Sequence, residues 1–324
     1  MLSPIVLLHT NDPEPARDTL QRTHPDLTIH TCSTYADLSD SLRESQAEVV
    51  YTVRFDGTPD FPGQALHNAT QVKWISVGGS GTDHLLRWDK TRCTVTNAAG
   101  VAADMMAEYA LGCVLSFRLN LRQFQQAQQQ QQWITGKVTP LAGQTALLIG
   151  MGQTGIAVAQ RFKAMDMRVI GVRASAAATS ESANFDKTYT AAALPDLLPQ
   201  ADVIVVAVPL LKSTRGMLAG DEFSAMKPNT ILVDVSRGGV VDETALIEAL
   251  HSGSIEGAAL DVFSTEPLPA GHPLWQMNNA IVTPHCSSVY DGWELRSVEM
   301  FAENLMRYRQ GNPLDRIVDP DKGY

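Results

Sequence analysis

The feature that most constrains the fold is a glycine-rich turn between an apolar strand and a helix. The strand "TALLI" is followed directly by "GMGQTG" and then by the helical stretch "IAVAQRFKAM". In such a turn, Gly150 permits the sharp bend, Gly152 lets the backbone approach a pyrophosphate, and Gly155 lets the helix pack closely on the strand. Backbone N–H groups at the helix start, around Gln153 and Thr154, then face the anion. The segment therefore predicts dinucleotide binding.

Short apolar segments alternate with helical stretches on both sides of this turn. The first hundred residues contain five predicted strands: "PIVLLHT", "LTIHTC", "AEVVYTV", "VKWISV" and "CTVTNA". A second series contains about six: "TALLIG", "MRVIGV", "DVIVVAV", "TILVDVS", "GAALDVF" and "AIVTPH". A long helical segment is predicted from Val101 to Trp133, and an amphipathic helix over "WELRSVEMFAENLMRYRQG". The alternation predicts doubly wound parallel α/β sheets, and 324 residues are enough for two domains.

The composition excludes several classes of partner. A formal charge of −10 argues against a nucleic-acid or anionic-membrane surface, because phosphate binding needs a basic footprint. Apolar runs such as "ADVIVVAVPLL" are shorter than a membrane span, and the start "MLSPIVLLHTNDPEP" has neither a basic region nor a cleavage site, so we expect a cytoplasmic protein. The four cysteines are widely spaced and the histidines form no HxH or HExxH pattern. We therefore expect free buried thiols and no metal site.

Three polar residues follow strands of the second series, where ligands of open α/β sheets bind. Arg237 follows "TILVDV", Glu266 follows "AALDVF" and His285 ends "AIVTP". Beside a dinucleotide, this set indicates carbonyl reduction: the guanidinium binds a substrate carboxylate and polarises the carbonyl, the imidazole delivers a proton, and the carboxylate orients the ring and favours its charged form. Each residue alone also fits an ordinary surface or strand-end role. Their joint position favours the catalytic interpretation.

The segment "VIGVRAS" bears on the choice of cofactor. Folds that select NAD carry an acidic residue at the end of the second strand, where this chain has Arg173. A guanidinium pairs with a 2′-phosphate, and Ser175 adds a hydroxyl donor two residues on. The alternative is that Arg173 points to solvent, because "VRAS" lacks a second basic residue. The sequence predicts NADP(H) as the preferred cofactor, with NAD(H) as the alternative.

Longer motifs carry a family resemblance. "GMGQTG", "VSRGGVVDETALIEALHSGSIEGAALDVFSTEPLPAGHPLW" and "NNAIVTPH" resemble the D-isomer-specific 2-hydroxyacid dehydrogenase family over nearly the whole chain. "MAEYALGCVL", "HPLWQMNNAIVTPH" and "IVDPDKGY" resemble the branch that contains bacterial glyoxylate/hydroxypyruvate reductases. The resemblance implies reduction of a small 2-oxo acid to the D-2-hydroxy acid. It also implies that Arg237, Glu266 and His285 are catalytic.

The resemblance assigns further contacts. Family members hold the substrate carboxylate on backbone N–H groups of the loop written here as "VGGSGTDHL", which implies Ser80 and Gly81. Amides of a glycine-rich strand end can converge on an anion in this way. Arg54, at the end of "AEVVYTVR", either adds positive charge near the substrate or is a plain surface arginine. Asp261 matches a position near the nicotinamide amide, and Ser236 lies in the motif beside it.

Two departures from the family pattern limit this transfer. The family often has a threonine where "VPLLKST" has Leu211, which removes one expected contact to the cofactor. The residues after the histidine are "CSSVYDGW" instead of a small apolar run, so we expect Tyr290 and Trp293 to reshape the pocket. The sequence therefore leaves the physiological 2-oxo acid open.

The resemblance also sets the expected domain organisation. A flavodoxin-like substrate domain is expected from residues 1–98 and 287–324, and a Rossmann cofactor domain from residues 99–286, with the active site in the cleft between them. Family members pair through their cofactor domains, and the apolar stripe from Val101 to Gln132 favours a homodimer. A dinucleotide-sensing corepressor with the same fold is the alternative function. The chain shows nothing like a disordered regulatory extension, which favours the enzyme.

Overall fold

The computed structural model describes residues 2–55, 60–174 and 183–321. The chain separates into two compact units: unit 1 comprises Met1–Val101 and Asp291–Tyr324, and unit 2 comprises Ala102–Tyr290. These limits lie within a few residues of the expected domain boundaries. Each unit is built on its own parallel sheet with helices. The predicted two-domain α/β class is confirmed.

Unit 1 contains all five strands predicted in the first hundred residues. Its strands are β1 (Ile5–His9), β2 (Thr28–Cys32), β3 (Val49–Thr52), β4 (Trp74–Val77) and β5 (Thr94–Asn97), and its first helices are α1 (Glu14–Thr23), α2 (Leu38–Ser45) and α3 (Gly63–Asn68). The strand order is β2-β1-β3-β4-β5, and all neighbouring strands are parallel. This order is the flavodoxin-like one.

Unit 2 contains seven strands, one more than predicted. They are β6 (Thr145–Ile149), β7 (Arg168–Arg173), β8 (Lys187–Thr190), β9 (Val203–Val206), β10 (Ile231–Asp234), β11 (Gly257–Leu260) and β12 (Ala280–Val282). The order β12-β11-β10-β9-β6-β7-β8 is parallel throughout, and the direction of the connections reverses between β6 and β9. Ligands of doubly wound folds bind at such a switch point. The additional strand, β8, lies at the sheet edge, and its polar sequence "KTYT" gave no apolar signal.

The long helix predicted from Val101 to Trp133 is two helices. The helices of unit 2 are α4 (Ala103–Arg118), α5 (Leu121–Gln129), α6 (Gln153–Ala164), α7 (Leu194–Leu197), α8 (Gly220–Ala225) and α9 (Glu243–Ser252). The chain turns at Asn120, whose φ of 53° lies in the left-handed region. The local sequence "RLNLRQ" contains neither proline nor glycine, so periodicity alone did not show the break. Trp133 lies beyond α5 and is 97% exposed.

The last helix, α10 (Trp293–Arg309), belongs to unit 1. Its buried residues Phe301 and Leu305 pack with Tyr51 and Trp74 on one face of the five-stranded sheet. A second apolar cluster covers the other face. Parallel strands that are buried on both faces have near-continuous apolar sequences, as the segments of unit 1 do. Because both faces of the sheet are covered, polar residues can lie at the carboxyl ends of the strands.

Candidate active site

The glycine turn after β6 has a separate geometric need for each glycine. Gly150 has a φ of +111°, and a Cβ at this position would lie 2.2 Å from the carbonyl oxygen of Ala207. A Cβ on Gly155 would lie 2.0 Å from the carbonyl oxygen of Gly150, so the helix can pack this closely only on glycine. Gly152 faces open space: a Cβ built on this residue would have no neighbouring atom within 4 Å. The predicted roles of the first and third glycines match this geometry.

The start of α6 fits a pyrophosphate. Gly152 is the residue before the helix, and no side chain caps it. The N–H groups of Gln153, Thr154 and Gly155 lie in the first helical turn, which has no intrahelical acceptors. Open space above a glycine and a row of unpaired amides at the positive end of a helix dipole form an anion-binding cradle. These residues would hold the phosphates of a dinucleotide.

Arg173 lies beside this cradle. It is the last residue of β7, which pairs with β6, and the Gly150 N–H donates to the carbonyl of Val172 at 2.9 Å. Its side chain is half-buried. The position is therefore next to the glycine turn, as the sequence predicted. Ser175, the second predicted contact to a 2′-phosphate, lies outside the described residues.

Arg237, Glu266 and His285 follow three neighbouring strands, β10, β11 and β12. The structure brings Glu266 and His285 together: Glu266 Oε2 lies 2.9 Å from His285 Nδ1, and each side chain is 33% exposed. The other oxygen, Glu266 Oε1, accepts the N–H of Phe263 at 2.9 Å. Because a carboxylate only accepts hydrogen bonds, Nδ1 is the donor, which leaves the second ring nitrogen of His285 for a substrate.

The charges of this set are coupled. Partial burial acts to raise the pKa of Glu266, but the hydrogen bonds from His285 and Phe263 and the positive charge of Arg237 hold it below its ordinary value. Glu266 is therefore an ionised partner for the imidazole at neutral pH. His285 has a φ of 53°, a strained left-handed conformation for a non-glycine residue. Such strain persists only where the surroundings fix it.

A buried carboxylate that the sequence analysis missed supports the Arg237 turn. Asp234 Oδ1 accepts both the N–H and the hydroxyl of Ser236, and burial raises the pKa of Asp234 to about 7 although these bonds oppose the shift. Arg237 Nη1 donates to the carbonyl of Ser236 at 2.7 Å. A Cβ on Gly238 would lie 1.8 Å from the carbonyl oxygen of Phe263, so the turn packs directly on the segment that leads to Glu266. The sequence signal that could have identified Asp234 is an acidic residue at the end of the apolar run "ILVD".

Asp261 is fully buried and accepts three hydrogen bonds. Its Oδ1 accepts the Thr283 hydroxyl at 2.6 Å and the Cys286 N–H at 2.9 Å, and its Oδ2 accepts the Ser287 N–H at 2.9 Å. The Tyr109 hydroxyl lies 2.8 Å from Thr283 Oγ1. Tyr109 lies in the helical segment predicted from Val101 to Trp133, and helical periodicity does not show which groups its hydroxyl contacts.

In unit 1, two carbonyl groups of the loop after β4 are held by hydrogen bonds from side chains. The carbonyl of Gly78 accepts from Ser297 Oγ at 2.7 Å, and that of Ser80 accepts from Asn97 Nδ2 at 2.7 Å. Among the residues that the structure describes, no hydrogen bond takes up the N–H groups of Ser80 and Gly81. The loop thus leaves two predicted amides available for an anion. Arg54, beyond the end of β3, is exposed.

The two departures from the family pattern have local structural consequences. Leu211 is half-buried, and its N–H donates to Thr214 Oγ1 at 2.7 Å. The Thr214 hydroxyl donates in turn to the carbonyl of Pro209 at 2.6 Å, so a threonine further along braces this loop. Trp293 packs partly against the apolar core of unit 1, and Tyr290 is half-buried at the end of unit 2.

Other expected features concern the cysteines, metals and membranes. All four cysteines are free, and three of them are buried: Cys32, Cys93 and Cys113. In the three described stretches, no cluster of three or more His, Cys, Asp or Glu side chains has the arrangement of a metal site. The helices of the same stretches include none that combines the length and the apolar character of a membrane span.

The chain is similar to known proteins over most of its length. A family model described as D-isomer specific 2-hydroxyacid dehydrogenase, NAD binding domain, matches residues 111–287. The chain is 32% identical over 277 residues to a glyoxylate reductase of Korarchaeum cryptofilum, covering 82% of this chain and 81% of that one. It superposes with a TM-score of 0.86 on a D-isomer specific 2-hydroxyacid dehydrogenase family protein of Aeromonas salmonicida (32% identity, 98% of this chain and 100% of that chain). The TM-score is 0.82 with the NADPH-dependent glyoxylate/hydroxypyruvate reductase of Sinorhizobium meliloti in complex with NADP and sulfate (26% identity, all of both chains).

Proposed function

The chain belongs to the D-isomer specific 2-hydroxyacid dehydrogenase family, and we propose that it uses NADPH to reduce glyoxylate or hydroxypyruvate to the D-2-hydroxy acid. Family membership makes it an NAD(P)-dependent enzyme acting on 2-oxo and 2-hydroxy acids. The observation that carries the finer proposal is the 2.9 Å contact between Glu266 and His285, in the same unit as the dinucleotide cradle. The names of the archaeal and Sinorhizobium relatives support this substrate class and NADPH.

His285 is the proposed proton donor. Glu266 fixes the ring through Nδ1 and stabilises the imidazolium, so the second nitrogen donates its proton to the carbonyl oxygen of the 2-oxo acid. The nicotinamide, when bound, would supply a hydride to C2 of the 2-oxo acid, and the proton from the histidine completes the hydroxyl group. After the reaction the neutral imidazole regains a proton from solvent, since its side chain is one-third exposed.

Arg237 and the loop of unit 1 are the proposed anchors of the substrate. The guanidinium binds the carboxylate and polarises the adjacent carbonyl, which favours attack at C2. The N–H groups of Ser80 and Gly81 are the proposed carboxylate donors of unit 1, and Arg54 adds positive charge. Asp261 and Ser236 stand close to the nicotinamide in this proposal. Unit 1 is thus the substrate-binding domain and unit 2 the dinucleotide-binding domain.

Arg173 is the proposed determinant of cofactor choice. A guanidinium at the end of β7 pairs with a 2′-phosphate and cannot accept hydrogen bonds from the ribose of NADH. NADPH should exceed NADH by about one to three orders of magnitude in kcat/KM, the range for a charge-assisted pair. Arg173→Asp should invert the preference, mainly through KM for the cofactor, and Arg168→Asp at the start of the same strand is the matched control. A wild-type enzyme that uses both cofactors equally would contradict the assignment.

A panel of 2-oxo acids tests the substrate class. Initial rates of NADPH oxidation are measured with glyoxylate, hydroxypyruvate, pyruvate and a bulky 2-oxo acid, and kcat/KM is compared. We expect the first two to rank highest. Tight binding of NADPH without oxidation by any 2-oxo acid would instead favour the dinucleotide sensor.

We propose a homodimer that forms through unit 2. The large apolar side chains Leu121, Trp133 and Val138 are exposed on α5 and in the segment after it, and a second copy of the chain would cover them. A monomer mass by light scattering at micromolar concentration would contradict this.

We also propose a cytoplasmic location, because free cysteines suit a reducing compartment and NADPH is regenerated inside cells. Fractionation of the source cells tests the location.

A further inference from the structure

A hydrogen-bonded chain connects α4 to the turn that carries His285, and the proposed reaction gives a role only to its last member, Asp261. It runs from the Tyr109 hydroxyl to Thr283 Oγ1 and on to Asp261 Oδ1, with separations of 2.8 Å and 2.6 Å. All three residues lie in unit 2. Asp261 is fully buried, whereas Tyr109 and Thr283 are half-buried. The middle member of the chain, Thr283, lies two residues before the proposed proton donor, His285.

The direction of the hydrogen bonds follows from chemistry. Both oxygens of Asp261 act as acceptors: Oδ1 accepts from the Thr283 hydroxyl and the Cys286 N–H, and Oδ2 accepts from the Ser287 N–H. The Thr283 proton is therefore directed at Asp261, and Thr283 Oγ1 must accept from Tyr109. Burial, together with the neighbouring Cys113 thiol, raises the pKa of Tyr109, which favours the protonated hydroxyl as the donor to Thr283. The chain therefore runs in one direction, from Tyr109 through Thr283 to Asp261.

Asp261 holds the His285 turn on both sides. Thr283 precedes the histidine by two residues, and the N–H groups of Cys286 and Ser287 follow it directly. The φ of 53° at His285 costs free energy that the surroundings must offset. These three bonds to one buried carboxylate hold the strained turn, together with the Glu266 contact to the ring and the bond from the His285 N–H to the carbonyl of Thr283. Tyr109 orients the hydroxyl that makes the first of them, and chained hydrogen bonds strengthen one another.

We propose that Tyr109 is a positioning residue for His285, acting through Thr283 and Asp261. The inference rests on the proposed function, because it concerns the aim of the proton donor. Loss of the tyrosine hydroxyl leaves Thr283 free to rotate, which weakens its bond to Asp261 and loosens the turn. The proton then reaches the carbonyl oxygen less often in the correct geometry, so kcat falls. Substrate affinity depends on Arg237 and the loop of unit 1, so KM stays the same.

Substitutions that remove single hydroxyl groups test this role. Tyr109→Phe and Thr283→Val should each lower kcat for glyoxylate with NADPH by about three- to tenfold, the scale of one hydrogen bond, with KM for glyoxylate unchanged. Thr283→Ser keeps the hydroxyl and should retain kcat. Thr230→Val is the matched control: Thr230 is fully buried, and its hydroxyl donates to the carbonyl of Ala201 at 3.0 Å before β10, at the amino end of the same sheet. It should lower Tm but not kcat.

Amide hydrogen exchange gives a readout without substrate or cofactor. In Tyr109→Phe and Thr283→Val, exchange at Cys286 and Ser287 should rise by about three- to tenfold, while Thr230→Val should leave it unchanged. If both variants resemble Thr230→Val in kcat and exchange, the positioning role is wrong. If wild-type protein does not reduce glyoxylate, the proposed function fails instead. In that case the exchange rates alone decide whether Tyr109 holds the turn.

Discussion

Each unit places a histidine at the carboxyl end of a parallel strand, in opposite surroundings. His9 ends β1 of unit 1, is fully buried, and packs its ring against Phe55 with a centroid distance of 4.7 Å. Its Nδ1 lies 2.8 Å from Thr52 Oγ1, and burial lowers the pKa of His9 to about 4. His285 follows β12 of unit 2, is one-third exposed, and contacts the Glu266 carboxylate at 2.9 Å.

A position at the end of a strand does not by itself give a histidine a chemical role. The groups around the imidazole ring determine whether it can take up and release a proton. Burial among aromatic rings lowers the pKa of His9, so its ring is neutral at physiological pH and cannot act as an imidazolium donor. His285 instead has a carboxylate at its ring and access to solvent, which are the surroundings that the proposed proton donor requires. Two sheets of the same class therefore present histidines in different surroundings at the ends of their strands.

The largest expected effect separates the two histidines. His285→Ala should lower kcat for glyoxylate by about two to four orders of magnitude, the usual contribution of a general acid, with little change in affinity for NADPH. His9→Gln should leave kcat within about twofold, because a buried neutral ring serves packing. Steady-state rates check both variants. Equal loss of activity in the two would show that the contrast in surroundings is not functional.

The strand-end arginines extend the comparison. Arg237→Lys keeps the charge but loses the planar fork, and should raise KM and lower kcat together, by about ten- to hundredfold in kcat/KM. Arg54→Lys in unit 1 keeps the charge of an exposed side chain, and should change kcat/KM by less. The ratio of the two effects is the measurement. A normal Arg237→Lys enzyme would reduce that arginine to a turn residue.

Glu266→Gln sharpens the role of the carboxylate. The attraction that lowers the pKa of Glu266 equally stabilises the imidazolium, so loss of the charge should move the alkaline limb of the reduction rate to lower pH. At neutral pH the rate should fall by roughly tenfold. Glu243→Gln is the matched control, because Glu243 contacts another histidine of unit 2, His272, at 3.3 Å. An unchanged pH profile in Glu266→Gln would remove Glu266 from the mechanism.

The smallest effect is on stability and concerns His9. Since its folded pKa is about 4 and its ordinary value is 6.5, the unfolded chain takes up a proton first as pH falls. Unfolding free energy should therefore decrease from pH 6.5 toward pH 4, by about 2 to 3 kcal/mol from this residue. Asp234 acts with the opposite sign, so urea unfolding of wild type and His9→Gln must be compared. Parallel pH curves for the two proteins would show that His9 does not titrate in this range.

Much of the fold was predictable because apolar pattern and glycine chemistry are local. The five strands of unit 1 and the turn at Gly150 could be predicted from their own local sequences. The polar strand β8 and the break at Asn120 were missed, since sheet pairing supports the first and backbone geometry the second. Local patterns do not record such tertiary contributions.

The site was predictable where strand ends carry charged groups, as with Glu266 and His285. Its supporting residues were not, because their roles depend on where distant segments meet. Tyr109 and Thr283 are 174 positions apart in the sequence. Asp234 looks in the sequence like any other acidic residue at the end of a strand, and only its burial in the fold shows its supporting role. Contacts over such separations leave no periodic signal in one sequence.

The most direct test of the account is the product of hydroxypyruvate reduction. Purified wild-type protein is incubated with NADPH and hydroxypyruvate, and the glycerate formed is resolved by chiral chromatography while NADPH oxidation is followed. The account predicts one D-glycerate for each NADPH oxidised, with the rate lost in His285→Ala. L-glycerate as the product, or tight binding of NADPH without any oxidation, would contradict it.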